Sequence, residues 1–367
     1  MQSNVETLFF KVKKMGGKRE KVFLGISGLI FAVTFVGFVW FIKTRMTFLL
    51  TSDDASELIL GNLLADENGL LSKSWYYSTE LRVVNTQIFY AFFFKIFHSW
   101  HRVRIASYVC LYIVMLAAYY FTCRALKVKR YFLITAALLM IPFSGDYFYV
   151  VLKGAYYIPH IAITFFTLGL CESYVSLEKE KLKRIYLPLV FLSSLLAGLG
   201  GPRQIIVLYV PLIVTSLILA IYGMPISKSQ SAGKLKQSDK QYIIFSAVSF
   251  AGAGIGYIIN IKFLSKIYSF GTWTGISLTE FNISELSQIL NGFLSAYGYS
   301  SGKIFSSVMP RDFVCLCWIF LTVYACVHIL KNKKNSGAGT LQNGIVYDCE
   351  FCFLYLFVYV YGSLLSR

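Results

Sequence analysis

Residues 22–42 read VFLGISGLIFAVTFVGFVWFI, and residues 51–82 read TSDDASELILGNLLADENGLLSKSWYYSTELR. The first stretch carries no charge and is long enough to cross a bilayer as a helix. The second stretch carries six carboxylates, although the chain as a whole is basic. Carboxylates beside a membrane are costly unless they have a function. The two stretches together predict a membrane protein with a chemical site in its first loop.

The composition supports an integral membrane protein. Hydrophobic residues make up 56% of the chain and charged residues 14%, whereas a soluble domain carries about 25% charged residues. Aromatic residues reach 17%, and belts of Trp and Tyr at the membrane surfaces account for part of that content. The apolar run that begins at Val22 is too long for a signal-peptide core and lacks a cleavage site, so we expect it to remain as a signal anchor.

The net charge of +17 does not predict a nucleic-acid partner. The basic residues form short clusters between apolar segments, which is the distribution typical of cytoplasmic loops in membrane proteins. A nucleic-acid surface would instead need a continuous basic face. The clusters are Lys11/Lys13/Lys14/Lys18/Arg19/Lys21, Arg124/Lys127/Lys129/Arg130, Lys179/Lys181/Lys183/Arg184, Lys228/Lys234/Lys236/Lys240 and Lys331/Lys333/Lys334.

Apolar runs predict where the helices lie. They cover 22–42, 83–97, 103–123, 131–143, 156–175, 185–200, 204–222, 241–262, 312–330 and 345–365. If every basic cluster faces the cytoplasm, an even number of crossings separates each pair of clusters. Between Lys21 and Arg124 there are three runs, so one of them does not cross. Segment 83–97 would span only about 22 Å as a helix, less than the ~30 Å hydrocarbon core. We therefore predict about nine crossings, a cytoplasmic N-terminus and one multi-pass membrane domain over 1–367.

This topology assigns four segments to the outer face of the membrane. They are the first outer loop 43–102 with its juxtamembrane helices, the segments 144–155 and 200–204, and the large loop 263–311. The six acidic residues of the first outer loop and Asp146 fall on the same face, although only Lys and Arg defined it: Asp53, Asp54, Glu57, Asp66, Glu67, Glu80 and Asp146. The last apolar run reaches the outer face and ends there, which predicts a truncated protein.

Asp53 and Asp54 open a predicted amphipathic helix, and Glu57 follows one turn later. Acidic residues also stabilise helix N-termini, so capping by Ser52 or Asp53 is the alternative explanation. Capping accounts for one acid better than for two adjacent acids beside a membrane. We therefore favour a catalytic role for the pair.

Two further acids are catalytic candidates. Glu80 lies with Arg82 at the start of the juxtamembrane segment, where a helix-start acid and an interface-anchoring Arg are the simpler explanation. Asp146 follows a turn marked by Pro142 and Gly145, which places it at the mouth of a helix.

Cationic and aromatic residues offer contacts for a substrate. Arg203 follows glycines and a proline in AGLGGPRQ, and its guanidinium suits a phosphate, although an Arg at this depth also anchors helices. Lys153 is a second cation on the outer face. The candidate substrate contacts are Tyr156, Tyr157, His160 and Trp273. No metal-ligand spacing accompanies His160, so a packed or hydrogen-bonded histidine is the simpler explanation for it.

Two other motifs predict packing rather than chemistry. Cys349 and Cys352 have C-x-x-C spacing without a second pair, so a zinc or redox role has little support. The sequence GAGIGY at 252–257 resembles a phosphate loop, but it lies within an apolar run. Small residues there let helices approach one another closely.

The order of these features resembles the GT-C superfamily of polyprenyl-phosphate-sugar-dependent glycosyltransferases. The likeness is strongest to bacterial relatives of protein O-mannosyltransferases and of the lipid A aminoarabinose transferase. SDDASELILGNLLA is similar to the family's D-E-x-x-Y-A-x-I-x-x-x-L, TELRVVNTQIFYAFFFKIF to its acid-bearing juxtamembrane helix, and HSWHRVRIAS to the turn that follows. The resemblance covers roughly residues 1–210. The chain departs from the family in having Asp54 instead of Glu, and Leu81-Arg82 instead of Lys-Pro.

The resemblance implies an all-α, GT-C-like bundle and an activity. The enzyme would transfer a sugar, with inversion, from a polyprenyl-phosphate carrier to a glycan, lipid or protein acceptor at the outer face of the bacterial plasma membrane. Asp53 would be the base, with Asp54, Glu80 and Asp146 in the same site to orient the acceptor or hold a cation. Arg82, Lys153 and Arg203 would neutralise the lipid phosphate. A divalent metal is compatible with this chemistry and is not required.

Two other functions remain open at this point. A transporter, flippase or polysaccharide-export component would use acids along a path through the bilayer, but the acids here lie in predicted loops. A structural or assembly protein would need no chemistry, and the concentration of acids argues against it.

Overall fold

The computed structural model describes residues 2–78, 81–142, 145–177, 180–223 and 237–271, together with Leu316 and Phe320. These residues form helices and no β-strand, apart from one isolated bridge between Tyr76 and Ser269. The helices are α1 (Gln2–Thr44), α2 (Ser52–Glu67), α3 (Thr86–Phe94), α4 (Trp100–Ala125), α5 (Phe132–Leu138), α6 (Gly145–Tyr147), α7 (Ile158–Ser176), α8 (Glu180–Gly198), α9 (Val210–Gly223) and α10 (Gln237–Lys262). Two π-helical turns, Phe148–Lys153 and Ile205–Tyr209, and three 3₁₀ turns, Met46–Leu49, Lys129–Tyr131 and Leu264–Lys266, connect them.

Four of these helical segments are long and apolar enough to cross a membrane. They are Glu20–Thr44, Trp100–Ala125, Ile158–Ser176 and Lys240–Lys266. The all-helical membrane class predicted from composition is thereby supported, whereas the described residues supply four such helices instead of the nine crossings expected from the sequence. In α1, the side chains of Val22, Leu29, Val33 and Val36 are more than half exposed. Such a surface suits contact with lipid.

Several apolar runs form shorter helices than their sequence predicts. Segment 83–97 becomes α3, a nine-residue helix of about 14 Å, too short to cross a bilayer. The run 131–143 yields only the seven residues of α5, because the ring of Pro142 would clash with the carbonyl of Leu138 if the helix continued. The runs 312–330 and 345–365 lie outside the described residues.

One end of the helical bundle collects the connections that the sequence assigned to the outer face. The side-chain amide of Asn260, near the end of α10, donates to the carbonyls of Leu81 and Leu199 at 2.8 and 2.5 Å. The backbone N–H of Tyr77 donates to the carbonyl of Ser269 at 2.9 Å. We call this the site end. Which face of the membrane the site end occupies stays a prediction.

Glycines allow close helix packing at two places. A Cβ on Gly256 of α10 would lie 2.2 Å from the carbonyl oxygen of Leu195 in α8. Gly252 and Gly256 therefore pack α10 against α8 and lie within a helix rather than in a phosphate loop, as the sequence predicted. On α2, a Cβ on Gly61 would lie 2.3 Å from Tyr90 Cβ of α3, so this glycine lets the two helices of the first loop meet.

Candidate functional site

The first turn of α2 is fixed by a capping box. Thr51 precedes the helix, and Asp54 is the third helical residue. The backbone N–H and the hydroxyl of Thr51 each donate to Asp54 Oδ2 at 2.8 Å. The Thr51 side chain in turn accepts from the backbone N–H of Asp54, and the two directions together form the capping box that stabilises helix starts. Capping therefore involves Thr51 and Asp54, and the alternative explanation from the sequence, capping by Ser52 or Asp53, is wrong.

Asp54 also forms a buried ion pair with Lys153. The Nζ atom of Lys153 lies 2.8 Å from Asp54 Oδ2, and the two side chains are 3% and 2% exposed. The same ammonium donates to the Thr51 hydroxyl at 3.1 Å. Burying two charges costs free energy unless further hydrogen bonds satisfy them. Those bonds are present here, so the pair holds two distant parts of the chain together.

Tyr156 completes this buried network. Its hydroxyl donates to the other carboxylate oxygen, Asp54 Oδ1. Burial and the neighbouring Asp54 carboxylate raise the pKa of Tyr156, so the hydroxyl keeps its proton and remains a donor. Both oxygens of Asp54 are thereby occupied. We call Thr51, Asp54, Lys153 and Tyr156 the Asp54 network.

The backbone around Lys153 has an unusual conformation. A π-helical turn ends at Lys153, and Ala155 has a φ of 56°. A left-handed conformation at a residue other than glycine costs on the order of 1–3 kcal/mol and is found preferentially at functional sites. At Gly154, a Cβ would lie 2.1 Å from the Tyr156 ring. Only glycine therefore lets this ring fold back towards Asp54.

Two tyrosines of α4 support the same turn. The hydroxyl of Tyr108 donates to the carbonyl of Lys153, and the hydroxyl of Tyr112 donates to the carbonyl of Val151 at 3.2 Å. In a π-helical turn the backbone carbonyls do not all find regular helical partners. The tyrosines supply these partners and fix the position of Lys153.

Asp53 and Glu57 lie outside the Asp54 network. Asp53 is exposed, and its carboxylate makes no hydrogen bond or ion pair within the described part of the chain. Glu57 is half-buried and accepts a hydrogen bond from the Thr86 hydroxyl at 2.8 Å. Burial raises the pKa of Glu57, and the Arg82 guanidinium and the Thr86 hydroxyl oppose that rise. Glu57 is therefore a second carboxyl group near the start of α2, and it takes up a proton more readily than an exposed glutamate does.

A second cluster surrounds Arg203. Helix α8 ends at Gly198, and Gly201 adopts a φ of 105° before Pro202. The Arg203 guanidinium then donates to the Tyr157 hydroxyl at 2.6 Å. The Tyr157 and His160 rings are 5.9 Å apart. The glycines and proline thus end the helix before Arg203, as the sequence predicted.

The structure separates the predicted site residues into groups. Asp54, Lys153 and Tyr156 share one network, and Tyr157, His160 and Arg203 share another. Asp53 is on the exposed side of the helix that carries Asp54. Glu80 and Trp273 lie outside the described residues, as does the side chain of Asp146.

Several residues of the site were not among the sequence predictions. Thr51 had a readable signal, because T-x-x-D before an apolar run is a capping-box pattern. Glu57 had a weaker signal, its position one helical turn after Asp53. Asn85 and Gln204, which are buried polar residues, had no signal in the sequence.

No cluster of three or more His, Cys, Asp or Glu side chains that could hold a metal occurs in the part of the chain that the structure describes. The position beside Asp54 expected for a cation is filled by the ammonium of Lys153. The described cysteines, Cys110, Cys123 and Cys171, are not joined by disulfides.

Neither protein-family models, nor curated proteins, nor solved structures give a match to this chain.

Proposed function

We propose that the protein is an inverting GT-C-type glycosyltransferase of the bacterial plasma membrane. It would cross the membrane about nine times, keep its N-terminus in the cytoplasm and transfer a sugar from a polyprenyl phosphate to a cell-envelope glycan, lipid or protein. One observation carries the proposal. The exposed carboxylate of Asp53 directly precedes a buried, fully hydrogen-bonded network at one end of a membrane-type helical bundle.

The reaction assigns separate tasks to the two adjacent aspartates. Asp53 takes the proton of the acceptor hydroxyl while the acceptor oxygen attacks the anomeric carbon of the sugar. The bond between that carbon and the phosphate oxygen breaks, and polyprenyl phosphate leaves with the electron pair. Because attack and departure occur on opposite faces of the carbon, the configuration inverts.

Arg203 and Arg82 bind the charge that develops on the departing phosphate. A guanidinium bonds two phosphate oxygens at once, and stabilising developing charge is often the largest catalytic contribution. Lys153 was expected to share this task. Its ammonium is buried against Asp54, so we assign it to positioning instead.

The Asp54 network serves to position Asp53. Its hydrogen bonds join the first turn of α2 to the turn at 148–156, about one hundred residues later in the chain. A base held on a rigid helix loses less rate to misplacement than one on a mobile loop. Because the oxygens of Asp54 are occupied, Asp53 is the aspartate of the pair that an acceptor can reach.

Asp53→Asn tests this proposal. We expect sugar transfer from a polyprenyl-phosphate donor to fall by roughly 10²–10⁴-fold, because Asn keeps the shape of the side chain without its basicity. Asp66→Asn is the matched control, since Asp66 is an exposed aspartate at the other end of the same helix. Thermal unfolding of both variants should resemble that of the wild type.

Other outcomes would change the assignment. If Asp53→Asn retains full activity and a folded Asp54→Asn variant has none, the base is the second aspartate. If both variants are fully active, the loop does not contain the catalytic base and the enzyme proposal fails.

A transporter is the second candidate, and one observation favours it. Glu172 is a buried carboxylate within the apolar helix α7, and carboxylates in membrane spans commonly mark ion pathways. Both its oxygens, however, accept hydrogen bonds, from Ser176 at 2.6 Å and from Tyr242 of α10 at 3.2 Å. Such bonds also hold membrane helices together, so we rank glycosyl transfer first.

A further inference from the structure

Several buried side chains among the described residues have polar atoms without a hydrogen-bond partner, among them Arg104, Ser107, Thr167, Ser194 and Tyr209, and three others carry an amide or imidazole group. The unpaired atoms of these three are both amide atoms of Asn85, Nδ1 of His160 and Oε1 of Gln204. The three residues are 1%, 4% and 1% exposed. Each unpaired buried polar group costs about 1–3 kcal/mol, so their presence at one end of the bundle needs an explanation.

Asn85 is the clearest of the three. It occupies the position before the first turn of α3, where an Asn side chain normally bonds the backbone of the following turn. Here it makes no such bond. Because capping does not occupy the amide, its donor and its acceptor are both left for another partner.

The connections between the three residues place them in one region. The side-chain amide of Gln204 donates to the carbonyl of His160 at 2.9 Å. Val84, next to Asn85, lines an apolar groove of about 410 Å³ together with Ile158 and Pro159 in the first turn of α7. The side-chain amide of Asn260 also binds the carbonyls of Leu81 and Leu199, so the loop that carries Asn85 lies near the segment that carries Gln204.

Positive charge flanks this region. Arg203 donates to the hydroxyl of Tyr157, whose ring is 5.9 Å from that of His160. Arg82 directly follows Leu81, whose carbonyl is held by Asn260 together with that of Leu199, four residues before Arg203. An anionic group that enters the region would meet two cations.

These features define the chemistry of a ligand. Amide groups offer a donor and an acceptor side by side, which suits neighbouring hydroxyl groups, and guanidinium groups suit a phosphate. We infer that Asn85, His160 and Gln204 bind the sugar hydroxyls of a sugar phosphate whose phosphate group lies towards Arg82 and Arg203. This inference rests on the proposed function and adds the residues that would recognise the donor sugar.

The test measures binding to the purified full chain with two probes. One is a short-chain isoprenyl-phosphate sugar, and the other is the same isoprenyl phosphate without the sugar. Asn85→Leu should weaken binding of the sugar-bearing probe by about tenfold or more, since one good hydrogen bond is worth roughly that factor. Binding of the sugar-free probe should not change. Asn62→Leu, which removes an amide from α2, is the control.

Thermal unfolding separates ligand recognition from a structural role. Asn85→Leu replaces an unpaired buried amide with an apolar group, so the melting temperature should stay the same or rise. A lower melting temperature, or an equal loss of affinity for both probes, would overturn the inference. The proposed function would survive those two results. It would fail together with the inference if the wild type bound neither probe.

Discussion

The two ends of helix α7 differ in whether their buried polar groups have hydrogen-bond partners. Near its C-terminal end, the two oxygens of Glu172 accept hydrogen bonds from Ser176 and Tyr242. Near its N-terminal end, His160 keeps an unpaired ring nitrogen, and Gln204 beside it keeps an unpaired oxygen. Both ends are buried, so an unpaired group is costly at either one. The difference is the one expected if the polar groups near Glu172 hold helices together and those at the site end bind a ligand, as inferred above.

The site end itself combines two kinds of polar structure. The Asp54 network is fully hydrogen-bonded and joins two distant segments of the chain. In contrast, both side-chain amide atoms of Asn85 and the amide oxygen of Gln204 have no hydrogen-bond partner. A rigid network beside unpaired groups is the arrangement expected of a preorganised binding site, where the scaffold is fixed before the ligand arrives.

The largest expected effect on stability is at Lys153. Lys153→Met leaves the buried carboxylate of Asp54 without its cation, and breaking a buried pair in this way costs about 3–5 kcal/mol. We expect the unfolding free energy in detergent to fall by that amount. The double variant Asp54→Asn/Lys153→Met should recover part of the loss, because no buried charge remains. Equal losses in the single and double variants would show that the ion pair is not the source of the effect.

Glu172→Gln examines the other end of α7. Gln keeps one acceptor oxygen and replaces the other with a donor, so we expect a loss of about 1 kcal/mol in stability. Sugar transfer should be unchanged, because the account gives Glu172 a structural role alone. If the variant had normal stability but no sugar transfer, Glu172 would have a functional role, and the transporter would become the favoured function.

The smallest expected effect concerns the pH dependence at Glu57. Burial raises the pKa of Glu57 above 4.5, so its protonated form favours the folded state. That contribution to stability is present below pH 4.5 and is lost as the pH rises through the folded-state pKa. Glu57→Gln mimics the protonated form at every pH. Its stability relative to the wild type should therefore increase as the pH rises, which thermal unfolding at several pH values measures. Asp66→Asn controls for net charge, and a pH-independent difference for Glu57→Gln would contradict the assignment.

The sequence predicted the class of the protein and the helices that are long and apolar. The side of the membrane that each loop faces, which the Lys and Arg clusters predict, stays a prediction. The sequence overestimated the helix in the run 131–143, although Pro142 within that run is a readable signal for the end of a helix. It could not pair Asp54 with Lys153, because a contact between residues about one hundred positions apart leaves no local pattern.

The different roles of Asp53 and Asp54 are a second example of what sequence alone predicts poorly. Both aspartates are acidic, adjacent and at a helix start, and the T-x-x-D capping pattern is the one local signal that distinguishes Asp54 from Asp53. Their directions around the helix separate them. One carboxylate enters the buried network and the other remains exposed.

The most direct test of the account is to incubate the purified full chain with a polyprenyl-phosphate sugar of defined anomeric configuration and a cell-envelope acceptor. NMR of the products would follow both the donor and the new glycosidic bond. The account predicts that polyprenyl phosphate is released in equal amount to the transferred sugar, and that the new bond has the opposite anomeric configuration. A donor that stays intact in the presence of acceptor, or a product with retained configuration, would contradict it.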